Sequence, residues 1–246
     1  MSDATRRDFI KSVSVGAASL AVTHSVAAAA DAMPVVPPVF ATGLQPKALD
    51  FDPARLNGIS EKLMRSHWEN NYGGAVKTLN AVNKQLATAL SDKDSAPWAY
   101  NDLKREHLIR TGSVVFHELY FGNLGGDGKA DATLRSELGT NFGSFDVWEA
   151  EFRKIGAGLG GGSGWVVLGY NLHTQAIENY WLADHAHGPA ATMPLLVMDM
   201  YEHAYHMDYG AAAAEYIDAF FQNIRWDVVG HRLTSARGSN SARKFA

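Results

Sequence analysis

The 246-residue chain contains no cysteine. That excludes disulfide staples, and with them any metal or catalytic chemistry that needs a thiolate. A surplus of positive charge is also missing. The 22 basic and 26 acidic residues leave a net charge of −4, without the basic excess of a nucleic-acid surface. The apolar run 13–22 falls short of the roughly 20 residues a permanent membrane span needs. There is no His-Glu-x-x-His pair to mark a zinc hydrolase, and Gly162-Ser163-Gly164 lacks the Gly-x-Ser-x-Gly pattern of a nucleophile elbow. No segment repeats. The chain is instead rich in aromatics and has ten histidines, so imidazole and carboxylate are the metal ligands on offer.

Thr5-Arg6-Arg7-Asp8-Phe9-Ile10-Lys11 is a twin-arginine pattern, and the apolar run 13–22 follows it. Val26-Ala27-Ala28-Ala29-Ala30-Asp31-Ala32 then offers several small-residue cleavage sites. Residues 1–30 read as an export signal, a receptor-read address rather than an anchor. The expected location is periplasmic or extracellular. Cleavage removes three basic and two acidic residues and takes the net charge from −4 to −5. The rest is long enough to bury a sizeable core.

Residues 31–45 are Pro-rich and read as a linker. Over 59–90 the apolar positions keep helical spacing, with Gly73-Gly74 as a possible kink point; a second helix is expected over 101–121. Together they form a long α-hairpin, placed as an N-terminal domain over 46–124. The glycine-rich stretch 122–128 is the expected boundary. A C-terminal domain over 130–234 follows, with short helices over 131–139 and 144–155. Ser144 is the N-cap of the second of these. Strand-like segments at 165–170, 176–182 and 195–198 come next, then helices over 208–222 and 226–233. Residues 235–246 read as a disordered tail. The fold class is α+β.

Asp199 and His203 stand four apart just after an apolar strand, a spacing that lets both reach one ion. His67 and His117 sit on apolar stretches of the two hairpin helices, where burial demands a partner. Spacing alone leaves open both a metal site and hydrogen-bonded core histidines.

Asp199-Met200-Tyr201-Glu202-His203-Ala204-Tyr205, with Asp208-Tyr209, resembles the Asp-x-Trp-Glu-His-Ala-Tyr signature of the iron/manganese superoxide dismutases. Phe142-Gly143-Ser144-Phe145 and Gly162-Ser163-Gly164-Trp165 resemble two further landmarks of that family, and Ala48-Leu49 with Ile59-Ser60 the approach to its first helix. The resemblance implies a C-terminal α/β domain with a small antiparallel three-stranded sheet flanked by helices. It implies one Fe or Mn ion per chain on His67, His117, Asp199 and His203, with superoxide as substrate. Trp165 falls at an active-site wall position. Glu202 falls where the family bridges a dimer interface, and the assembly implied is a homodimer or homotetramer.

Several positions depart from the family pattern. Asn71 and Ala75 stand where a gateway His and Tyr are usual, and Tyr72 is close enough on the helix to share the vacated place. Ser113 replaces the Gln that contacts coordinated solvent in iron-type members, Val115 a Trp, and His206 a Tyr. Asn71 and His206 both belong to the expected interface. His185, in Asp184-His185-Ala186-His187, is the candidate to bond the metal-bound solvent instead. These departures leave two alternatives beside dismutation: a dismutase-fold metalloprotein with weak or different redox activity, such as peroxide chemistry, or a non-catalytic structural member.

Overall fold

In a computed structural model, which describes residues 37–241, Ser60 caps the first helix by accepting the Leu63 N–H at 3.1 Å. Asp208 holds Ser60 in turn, through its N–H and its hydroxyl, both at 2.7 Å. Helix α1, Glu61–Ser66, passes into a π-helical turn, His67–Tyr72, and then into α2, Gly73–Ser91. The expected break at Gly73-Gly74 therefore comes just ahead of them. The Gly73 N–H reaches back to Trp68 O, which widens one turn and brings His67 and Tyr72, five apart, both into the core. Helix α3, Pro97–Gly122, completes the hairpin, starting four residues earlier than its apolar spacing indicated because Pro97 fits the first turn.

The stretch read as a linker is a strap where the structure describes it. Phe40 is buried with Val82 and Leu86 of α2. Asn80 Oδ1 accepts the N–H groups of Gly43 and Leu44, and Asn83 Nδ2 donates to Ala41 O. Trp68 Nε1 donates to Lys47 O, and the Lys47 N–H donates to the Tyr72 hydroxyl at 2.8 Å. Helix-borne amides thus serve backbone groups that no strand partner satisfies. The segment 1–30, expected to be an export signal, and residues 242–246 lie outside the described residues.

Helices α4, Ala132–Phe142, and α5, Phe145–Leu159, follow, each with the cap its sequence offers: Asp131 accepts from Leu134 N–H and Ser144 from Val147 N–H. Strands β1, Trp165–Asn171, β2, Ile177–Leu182, and β3, Thr192–Asp199, form one antiparallel sheet in the order β2-β1-β3. Central β1 is covered on both faces, which explains its unbroken apolar sequence. Its register sets Trp165 opposite Asp199.

Hairpin and sheet share one core. Tyr120 and Phe121 of α3 pack in the same cluster as Val197 and Met198 of β3. Buried Asn123 pairs with Val197 as a strand would, accepting its N–H at 3.0 Å and donating to its carbonyl at 3.2 Å. The glycine stretch beyond it is packed: Gly126 N–H donates to Asn223 O at 2.9 Å, and a Cβ there would stand 2.3 Å from Ile224 O.

Helices α6, His206–Tyr209, α7, Ala213–Gln222, and α8, Trp226–Ser241, close the chain. The tail read as disordered is thus helical over 235–241. Its Ser, Gly and Arg content hides two tertiary anchors: Ala236 is fully buried, and Arg237 pairs with Glu137 at 2.6 Å. Among the described residues no helix is long and apolar enough to cross a membrane.

Candidate metal centre

Four elements deliver the four predicted ligands to one point. His67 opens the π turn, His117 lies in α3, Asp199 ends β3, and His203 sits in the 3-10 turn Glu202–Ala204 that follows. One ligand atom from each lies within 4.8 Å of all the others. Asp199 Oδ2 is the hub, 3.1 Å from His67 Nε2, 3.2 Å from His203 Nε2 and 3.6 Å from His117 Nε2. Ligands held by bonds of roughly 2.1 Å to one ion are spaced by roughly 3 to 4 Å, so these separations suit a shared cation.

The hydrogen bonds say the same. Neither ring nitrogen of His67 has a partner, and neither does His117 Nε2, although all three are buried. Unpaired buried polar atoms are costly and rare, and an ion at the centre of the four would satisfy the two Nε2 atoms, one from each ring. The remaining atoms are occupied in ways that aim the ligands. His117 Nδ1 is bonded to Ser113 O at 2.7 Å, which leaves Nε2 as the ligand atom. Asp199 Oδ1 accepts the Tyr201 N–H at 2.9 Å, which leaves Oδ2 facing the imidazoles. The Tyr216 hydroxyl donates to Asp199 O at 2.8 Å and lies 3.3 Å from the Tyr120 hydroxyl.

Protonation states also match a ligand set. Burial lowers the pKa of His67, and it lowers that of His117 to about 3, so both rings stay neutral. Burial by itself would raise Asp199; the imidazoles of His203 and His67 more than reverse this and hold the carboxyl well below the usual range. Neutral imidazoles and an ionised carboxylate are the forms that bind metal. Of the four side chains, only His203 keeps substantial exposure, 25%, so the group opens toward solvent along its edge.

Trp165 is fully buried and meets the His117 ring edge-on at 5.2 Å. His185 comes from the β2–β3 loop to within 5.8 Å of the same ring, centroid to centroid. Trp165 Nε1 donates to His185 Nδ1 at 3.0 Å, so the neutral His185 ring carries its proton on Nε2. Sequence reasoning passed over Tyr201, which stacks on His185 at 4.5 Å and on His203 at 5.3 Å. The signal was available, since Tyr201 occupies the Trp position of the signature. It also missed Tyr120, 5.3 Å from the His67 ring, and Tyr216, which nothing local marks.

The Ser113 hydroxyl lies 3.3 Å from His117 Nδ1, so Ser113 supports a ligand. Ala75 is buried and Val115 is exposed. Tyr72 does not serve the vacated gateway, because its hydroxyl is committed to the Lys47 N–H and to Glu118 Oε1, the latter at 3.0 Å. Glu202 is exposed and Asn71 partly so, on two turns that pack together beside the ligand group, and His206 is exposed at the start of α6.

Residues 130–232 match the family model described as iron/manganese superoxide dismutases, C-terminal domain. A protein named superoxide dismutase [Fe] from Cupriavidus metallidurans is 51% identical over 191 residues, 77% of this chain and 96% of that protein. A superoxide dismutase [Fe] from Aquifex aeolicus is 34% identical over 208 residues, 82% of this chain and 96% of the relative. A superoxide dismutase [Mn] from Mycolicibacterium smegmatis is 32% identical over 202 residues, covering 80% and 96%.

Proposed function

The chain belongs to the iron/manganese superoxide dismutase family and is a superoxide dismutase, and from that premise we propose which of its residues do the work. We propose that His67, His117, Asp199 and His203 hold the single iron or manganese ion. The carrying observation is the convergence of their ligand atoms within 4.8 Å, among them the buried Nε2 atoms of His67 and His117, which lack a hydrogen-bond partner. When bound, the ion would supply the one-electron redox chemistry that dismutation requires. The chain supplies the rest. Asp199 brings the one anionic donor and favours the higher charge, while the Tyr201 N–H fixes its carboxylate and the Tyr216 hydroxyl holds its backbone carbonyl. Buried Trp165, Tyr120 and Phe121 exclude water from the rear of the group. His203 borders the open side by which a small anion arrives.

His185 is proposed to take the part that Gln plays in iron-type relatives. With its proton on Nε2, it would offer a hydrogen-bond donor to solvent at the site and support proton delivery there. His185→Ala should change both the dismutation rate and the visible spectrum of the loaded protein; a variant unchanged in both sinks this role.

Export by the twin-arginine route to the periplasm or beyond is supported by Arg6-Arg7, the apolar run 13–22 and the Ala-rich stretch behind it. Replacing Arg6 and Arg7 by Lys should leave the protein in the cytoplasmic fraction; an unaltered distribution excludes that route. Iron is favoured over manganese by the 51%-identical iron-named relative. The test of the whole reading is bound metal and superoxide dismutation measured on the purified protein beside His203→Ala. Stoichiometric iron or manganese with ordinary dismutase activity, lost in the variant, is the expected result. A folded wild-type protein that takes up neither metal contradicts it.

A further inference from the structure

Gly112 lies in the interior of α3, where glycine costs about 1 kcal/mol relative to alanine and so calls for a reason. The reason lies across from it. A Cβ at position 112 would stand 1.8 Å from His185 O, 2.8 Å from its carbonyl carbon and 3.5 Å from its Cα. The backbone of the β2–β3 loop is seated on the bare Cα of the helix that carries His117, and it is seated there at His185.

Three further contacts hold the same residue. Trp165 Nε1 donates to its Nδ1 at 3.0 Å, and the Tyr201 ring stacks on its face at 4.5 Å with 12° between the planes. Asp184 Oδ1 accepts the Ala186 N–H at 2.7 Å and closes the turn around it. The ring is thus gripped by Trp165 and Tyr201, while the backbone height that lets the ring reach them is set by Gly112. An alanine methyl would require a carbonyl retreat of more than about 1 Å to restore ordinary contact. A 3.0 Å hydrogen bond does not survive a shift of that size.

We propose that Gly112 is a positioning residue for the dismutation centre. By carrying no side chain it seats the His185 loop on α3, and it thereby fixes where the His185 imidazole, with its proton on Nε2, meets the site. This rests on the role given to His185 above. Position 112 makes no contact with the four ligands in this scheme, and it acts through His185.

The test compares metal-loaded wild type with G112A, H185A and the double variant. The readouts are the dismutation rate, its pH profile and the visible absorption spectrum of the bound metal. G112A should lose at least about tenfold in rate. Its pH profile and spectrum should move in the same direction as those of H185A, and the double variant should lose nothing beyond H185A. A G112A protein with wild-type rate, profile and spectrum overturns the proposal, and so does full additivity in the double variant. If H185A itself is silent in all three readouts, the role of His185 fails; if H185A responds and G112A does not, the positioning role alone fails. Should G112A not fold, a crystal structure of the wild-type holoenzyme decides. His185 O packed on Gly112 Cα upholds the seat, and a separation beyond roughly 4 Å overturns it.

Discussion

His117 Nδ1 lies 2.7 Å from the backbone oxygen of Ser113, one turn earlier in the same helix. The bond fixes the tautomer that presents Nε2, and it uses a carbonyl that any residue at position 113 would offer. The Ser113 hydroxyl, at 3.3 Å from the same nitrogen, is secondary. Ser113→Ala should therefore bind a full complement of metal and keep its dismutation rate within about threefold, at a stability cost of about 1 kcal/mol. Metal analysis and a dismutation assay check this; loss of the metal would show that the hydroxyl, rather than the carbonyl, orients His117.

Tyr216 joins the back of the site to the core. Its hydroxyl donates to Asp199 O at 2.8 Å, and the Tyr120 hydroxyl, 3.3 Å away and equally buried, has it as a partner. Tyr216→Phe leaves a buried carbonyl and a buried hydroxyl short of one bond. The expected cost is about 1 to 3 kcal/mol in denaturant unfolding. An unchanged unfolding midpoint would contradict this.

Metal-free protein should weaken toward acid. Burial holds His67 and His117 below the ordinary 6.5, so the unfolded chain gains their protons first as pH falls past that value. Stability is then lost from pH 6.5 down toward the folded values, roughly 2 kcal/mol by pH 5 for His117, with His67 acting in the same direction. Asp199 acts in the same direction at lower pH, because its lowered pKa contributes stability above the ordinary carboxylate range that disappears on acidification. Urea unfolding of the metal-free protein at pH 7 and pH 5 reads this directly; a midpoint equal or higher at pH 5 goes against it. Restoring the metal should raise the midpoint at pH 7 by mass action.

Glu202 is exposed on the turn that carries His203, and the resemblance in sequence puts it at an expected dimer contact. Sedimentation of the wild-type protein should show a dimer or tetramer. Glu202→Ala should shift it toward smaller species and lower the dismutation rate. A wild-type monomer with full activity rules out the contact.

The ligand set was legible through the signature Asp199–Tyr205, because the spacing of Asp199 and His203, and the place of His67 and His117 in apolar helices, left a metal site and core histidines both open. The caps at Ser60, Asp131 and Ser144, and the unbroken apolar run of β1, are equally local. What stayed hidden depends on distant partners. Gly112 reads as a weak point in a helix until His185 is brought against it. Residues 235–241 read as a tail until Glu137 meets Arg237. The π turn at His67 has no mark of its own, and Tyr72 turned out to serve Lys47 and Glu118 instead of the gateway.

The most direct measurement is anomalous diffraction from crystals of the loaded protein, recorded on both sides of the iron and manganese absorption edges. It should show one peak per chain, within roughly 2.3 Å of His67 Nε2, His117 Nε2, Asp199 Oδ2 and His203 Nε2. A peak elsewhere, or a fully folded and active protein with no metal among these four, would contradict the assignment of the centre.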